Sequence, residues 1–142
     1  MPRSSTGIKE IAIGHSWGLA AVTASETVGA RYDDVVSLAG AGMPPDWVPA
    51  AGTHYTHDTH YSYTDFLTVA QPTGLVYGWK NPAHGWGFDK GGWYVSSNDV
   101  RRLTTVNPLE AYEALVDNHS LVARDTEENS RVLFDLKEEV LE

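Results

Sequence analysis

The segment Ile8 to Val28, IKEIAIGHSWGLAAVTASETV, limits what this chain can fold into more than any other stretch. Ile11-Ala12-Ile13 is a short apolar run bounded by Lys9-Glu10 and Gly14, the pattern of a strand buried on both faces in a parallel sheet. Gly14-His15-Ser16-Trp17-Gly18 follows and fits Gly-x-Ser-x-Gly, and the Ala- and Leu-rich run from Leu19 to Thr23 has no helix breaker. Strand, tight turn and helix in this order predict a nucleophile elbow. Such a turn drives the serine into a strained backbone conformation, and glycines at 14 and 18 remove side chains that would collide there. The hydroxyl then stands above the sheet at a helix N-terminus, whose amides favour negative charge. Without the flanking strand and helix, the pentapeptide would be no more than a turn with an incidental serine. His15 is held in the same turn and cannot swing over Ser16, so it reads as a flanking residue rather than a base.

Beyond the helix, Gly29 is placed to cap its C-terminus. Asp33-Asp34 introduces Val35-Val36-Ser37-Leu38-Ala39, a second buried strand closed by Gly40-Ala41-Gly42. A strand-helix-strand unit of this length predicts two parallel neighbouring strands, Lys9–Gly14 and Asp34–Ala39, joined by a right-handed crossover. The stretch from Thr53 to Ala70 is rich in Thr, Tyr and His and begins with strand propensity. Gln71 to Gly92 reads as loop, with Tyr77, Trp79, Trp86, Phe88 and Trp93 forming a packed cover or a pocket wall. Asn107-Pro108-Leu109-Glu110 is a helix start with a capping box. Leu109, Tyr112, Leu115 and Val116 then predict an apolar stripe turned to the core, in a helix ending near Asp117-Asn118. A last helix begins near Asp125, with Val132, Leu133, Leu136 and Val140 as its stripe. The expected fold class is α/β, a parallel sheet with helices on both faces, in a single domain over residues 1–142.

A serine hydroxyl needs a base to take its proton and a third group to orient that base. His119, in Asp117-Asn118-His119-Ser120, is read as a loop histidine between two helices that can be aimed at Ser16. His84, in a glycine-rich loop, is the runner-up. For the acid, Asp65 is preferred, Asp58 is the alternative, and Asp89 is a weaker third. The backbone amide of Trp17 is one oxyanion donor; a second is needed. His54, His57, Asp58 and His60 lie close in sequence, but on a strand His57 points away from the other three, and no HExxH helix or cysteine accompanies them. No metal and no cofactor are therefore expected.

A formal charge of −9 speaks against nucleic-acid or anionic-membrane partners, which need basic patches. Zero cysteines remove disulfides and a thiol nucleophile. No run is apolar enough to span a bilayer, and the leader Met1 to Gly7 is too short and polar for a secretory signal, which makes a cytoplasmic location the expectation.

Five pieces together resemble the C-terminal half of an alpha/beta-hydrolase domain, closest to a largely uncharacterised family found mainly in actinobacteria. They are Ile13-Gly14-His15-Ser16-Trp17-Gly18, Asp33-Asp34-Val35-Val36-Ser37-Leu38, the Tyr-rich segment leading into Asp65, Asn81-Pro82-Ala83-His84, and Asn118-His119-Ser120. The resemblance implies a serine hydrolase acting on a small-molecule carboxylic ester through Ser16, Asp65 and His119. It departs at the N-terminus, where the family's early strands and oxyanion loop have no counterpart. The expectation is that the elbow strand pairs its free edge in a homo-oligomer or with an N-terminal segment, and that the chain alone hydrolyses esters weakly. Two other classes stand beside this one: an inactive fragment or pseudoenzyme serving as an interaction module, and a metal-binding protein using the His54–His60 cluster.

Overall fold

The computed structural model describes residues 7–40, 42–60, 80, 82, 86–94, 96–121, 123–124 and 126–141. Its elements run β1 (Ile11–His15), α1 (Trp17–Thr27), β2 (Asp34–Leu38), β3 (His54–His60), β4 (Asp89–Tyr94), α2 (Ser97–Thr104), α3 (Pro108–Leu121), a 3-10 turn (Glu127–Asn129) and α4 (Ser130–Leu141). The four strands form one sheet in the order β1-β2-β3-β4, and every pairing is parallel. The expected neighbours β1 and β2 pair from Ile11↔Asp34 to His15↔Leu38.

Consecutive residues on β2 divide the core in two, because successive side chains on a strand point to opposite faces. Val35 packs with Leu19 of α1, Met43, Trp47, Tyr55 and Phe88. Val36 packs with Leu38, Tyr94 and Val132 of α4. Helices therefore cover both faces, with α1 on one and α4 on the other. β2 is buried along its whole length. β1 is not: among the described residues it is an edge strand, and Ile13 is 48% exposed, so the expected burial on both faces holds only for β2.

α1 ends as its sequence suggests. Gly29 has φ 110, its N–H donates to Glu26 O (3.1 Å), and Ala30 N–H donates to Ser25 O (3.0 Å). These two bonds are the Schellman pattern, which needs a left-handed residue after the cap.

Four further expectations need correction. Asp89 to Gly92, expected as loop, belong to β4, whose residues Asp-Lys-Gly-Gly-Trp-Tyr owe their strand state to pairing with β3 rather than to propensity. The helix expected to stop near Asp117-Asn118 runs on to Leu121, so His119 lies in its last turn and not in a loop. Nor do Leu109, Tyr112 and Val116 of its expected stripe face the core: they are 63%, 49% and 39% exposed, whereas Ala114, Asn118 and Leu121 are buried. α3 docks through Ala114, Asn118 and Leu121. Its start also departs from a simple capping box. Asn107 Oδ1 accepts from Leu109 N–H (3.0 Å), but Glu110 takes the Thr105 hydroxyl (2.6 Å), and that hydroxyl accepts Asn107 N–H (3.1 Å).

Candidate functional site

Ser16 links the end of β1 to the start of α1 with φ 54 and ψ −124, a region that non-glycine residues enter at a cost of about 1–3 kcal/mol. Its hydroxyl does not cap α1, and its N–H donates to Leu38 O (3.2 Å), tying the turn to β2. Gly14 explains how the helix can start so close. A Cβ there would lie 2.6 Å from both the backbone N and the Cα of Leu19. Gly18 is different: a Cβ there meets nothing within 4 Å, so the turn requires only the first glycine of the pair. The Trp17 amide opens α1, at the positive end of the helix dipole, while the Trp17 side chain is half exposed.

His119 comes to this turn from far along the chain. Its ring stacks on that of His15 (centroids 5.2 Å apart, planes at 27°), and its carbonyl lies 3.0 Å from His15 Nε2. The base expected from the sequence thus sits against the residue before the expected nucleophile. Among the described residues no hydrogen bond joins Ser16 Oγ to the His119 ring.

The last turn of α3 is pinned by a buried polar network. Ser96 Oγ donates to Asn118 Oδ1 (2.6 Å), Asn118 Nδ2 donates to Asp99 Oδ1 (3.0 Å), and Ser96 N–H donates to Asp99 Oδ2 (2.7 Å). All three residues are nearly inaccessible. Ser96 and Asp99 form the capping box of α2, so one set of bonds starts α2 and locks it to α3 one residue from His119. The Ser96-x-x-Asp99 spacing is the local sequence signal for α2, which is not among the elements expected above.

Asp65 and His84 lie outside the described residues. Asp58 is a buried carboxylate near the end of β3, in register with Leu38, which is in register with His15. Residues in register share a face, so Asp58 looks to the same side as His15, about 10 Å away across two strand spacings. Asp89 is not with them: it begins β4, is 80% exposed, and contacts His54 Nε2 at 3.5 Å. His54 also approaches Asp34 (3.5 Å), whereas His57, on the α1 face, bonds the Ser37 hydroxyl through Nδ1 (2.8 Å). Among the described residues no group of three or more His, Cys, Asp or Glu is assembled to hold a metal ion. Nor is any helix among them long and apolar enough to cross a membrane.

A cavity of about 380 Å³ lies elsewhere, lined by Glu26, Arg31, Asp46 and Trp47 among others. It opens at the C-terminal end of α1, one helix length (about 16 Å) from Ser16. The buried Glu26 carboxylate beside it accepts from Trp47 Nε1 (2.8 Å) and the Tyr55 hydroxyl (2.7 Å). Burial, then the neighbouring Glu26 charge, pushes the Tyr55 phenol up to about 12.

Comparison with protein-family models, with curated proteins and with solved structures found no match to this chain.

Proposed function

We propose that the chain is a serine hydrolase of the alpha/beta-hydrolase type, acting on carboxylic esters. The observation that supports this most is the strained backbone of Ser16 between a parallel strand and a helix, with Gly14 making the close approach possible. Ser16 Oγ attacks the ester carbonyl carbon as its proton passes to His119. The tetrahedral oxyanion is held by the Trp17 amide and a second donor. The carbon–oxygen bond to the alcohol then breaks, and His119 returns the proton to the leaving alcohol. Water attacks the acyl-enzyme with His119 again as base, releasing the carboxylic acid and restoring Ser16. Asp65 or Asp58 orients the imidazole; Asp65→Asn and Asp58→Asn tell them apart, since loss of the orienting carboxylate alone slows acylation sharply.

A fluorophosphonate probe tests the reading directly. Covalent labelling of the folded chain that disappears in Ser16→Ala supports it, and a wild-type chain that stays unlabelled ends it.

A second reading, an interaction module without catalysis, draws on one observation: among the described residues β1 is at the sheet edge, with Ile13 and Trp17 about half exposed. An edge strand with apolar residues is a template for another chain. Sedimentation across a concentration series distinguishes a self-pairing edge from a monomer, and a homo-oligomer is also compatible with catalysis.

A further inference from the structure

We propose that His15 is a positioning residue, which clamps the last turn of α3 to the elbow and so fixes the His119 imidazole beside Ser16. The proposal rests on the serine-hydrolase reading for its purpose, though not for its geometry.

A carbonyl oxygen can only accept, so the 3.0 Å contact to His119 O makes His15 Nε2 the protonated nitrogen and the donor. The acceptor is one of the last four carbonyls of α3, which have no partner within their own helix. His15 therefore acts as a side-chain cap for a helix that begins 93 positions later in the chain, at Pro108. The stacked rings add a second restraint, on the orientation of the His119 side chain rather than on its backbone. His15 itself has little freedom. It ends β1 in register with Leu38, and the next residue donates its N–H to that same Leu38.

Asn118, in turn, is held by Ser96 and Asp99. Two adjacent residues of one helical turn are thus held by different parts of the fold, Asn118 by the α2 corner and His119 by the elbow. A base must stay within hydrogen-bond reach of the proton it removes, and an error of about 1 Å can cost on the order of 100-fold in rate. Histidine suits this place because it combines a flat face with a donor at the reach of Nε2. Phenylalanine keeps the face without the donor, and glutamine keeps a donor without the ring.

The test uses the whole chain as wild type, His15→Phe and His15→Gln, with two readouts. The first is the rate at which a fluorophosphonate acylates Ser16. The second is the NMR signal of the His119 imidazole in protein labelled at histidine, assigned by its loss in His119→Gln. We expect His15→Phe to slow acylation on the order of 10- to 100-fold and to shift the His119 signal. His15→Gln should recover most of the rate, and it keeps the question open to measurement should His15→Phe fail to fold. Equal acylation rates in wild type and the folded variants would overturn the proposal, as would a His119 signal unmoved by either substitution. If the wild type takes up no probe, the hydrolase reading falls by itself. The imidazole signal then decides the clamp: a shift upholds it and no shift overturns it.

Discussion

On the α1 face of the sheet, Leu19, Trp47, Tyr55 and Phe88 close around Val35, with the three aromatic rings 5.2 to 5.8 Å apart. On the opposite side, the α2–α3 hairpin leaves Val100, Leu103, Val106 and Leu109 more than half exposed, and its junction is made by Ser96, Asp99 and Asn118. The first region is held by removing apolar surface from water, a force without direction that tolerates small displacements. The second is held by short hydrogen bonds, which weaken steeply as their angles depart from linear. The residues that carry His119 belong to the second. Apolar packing also joins β2 to α4 through Val36, Leu38, Tyr94 and Val132, whereas the junction of α2 with α3 is made by directional bonds.

Substitutions can break this division, beginning where the effect should be largest. Leu19→Ala empties a fully buried site beneath β1 and β2 and should cost about 2–5 kcal/mol in urea unfolding, with an unchanged dependence on denaturant. A loss below 1 kcal/mol would mean that α1 does not anchor the fold. Asn118→Ala removes the centre of the polar junction and leaves Asp99 and Ser96 each short of a partner; about 1–3 kcal/mol is expected. The acylation rate of Ser16 should fall with it. If stability falls while acylation is untouched, the junction supports the fold without placing the base.

Tyr55 sharpens the comparison through pH. The phenol releases its proton near 10 in the unfolded chain and near 12 in the folded one, so the unfolded state binds fewer protons between those values. The stability contributed by Tyr55 is complete below pH 10 and is lost as the pH rises through 12. Unfolding free energy measured from pH 9 to 12 should decline less steeply in Tyr55→Phe than in wild type. Parallel curves would show that the Glu26–Tyr55 pair is not coupled to folding. The smallest effect is expected on the hairpin's outer surface, where Leu103→Ser should change stability by no more than about 0.5 kcal/mol. A larger loss would reveal that this surface is covered in solution.

The unit from β1 to β2 was legible because its signals are local: apolar runs, a glycine at each turn and an Ala-rich helix. Gly29 was legible for the same reason. β4 was hidden because Lys90, Gly91 and Gly92 carry little strand propensity, and β3 supplies what the local sequence lacks. In α3 the period was right and the side was wrong. Spacing shows that Leu109, Tyr112 and Val116 share a stripe, but not that the helix docks through Ala114, Asn118 and Leu121 instead. Within the site, Ser16 could be read from five consecutive residues. The contact of His15 with His119 joins positions 104 apart, and no local pattern encodes it.

The φ of 54 at Ser16 has a consequence for anyone who would make this protein more robust. Glycine occupies that region without strain, so Ser16→Gly should melt higher than Ser16→Ala and could match or exceed the wild type. A screen that selects only for heat resistance would therefore be drawn to the one position where the gain removes the hydroxyl. On the proposed hydrolase reading, thermal tolerance and use pull against each other at a single backbone angle, and a stabilised library from this chain is best sorted by probe labelling before it is sorted by temperature.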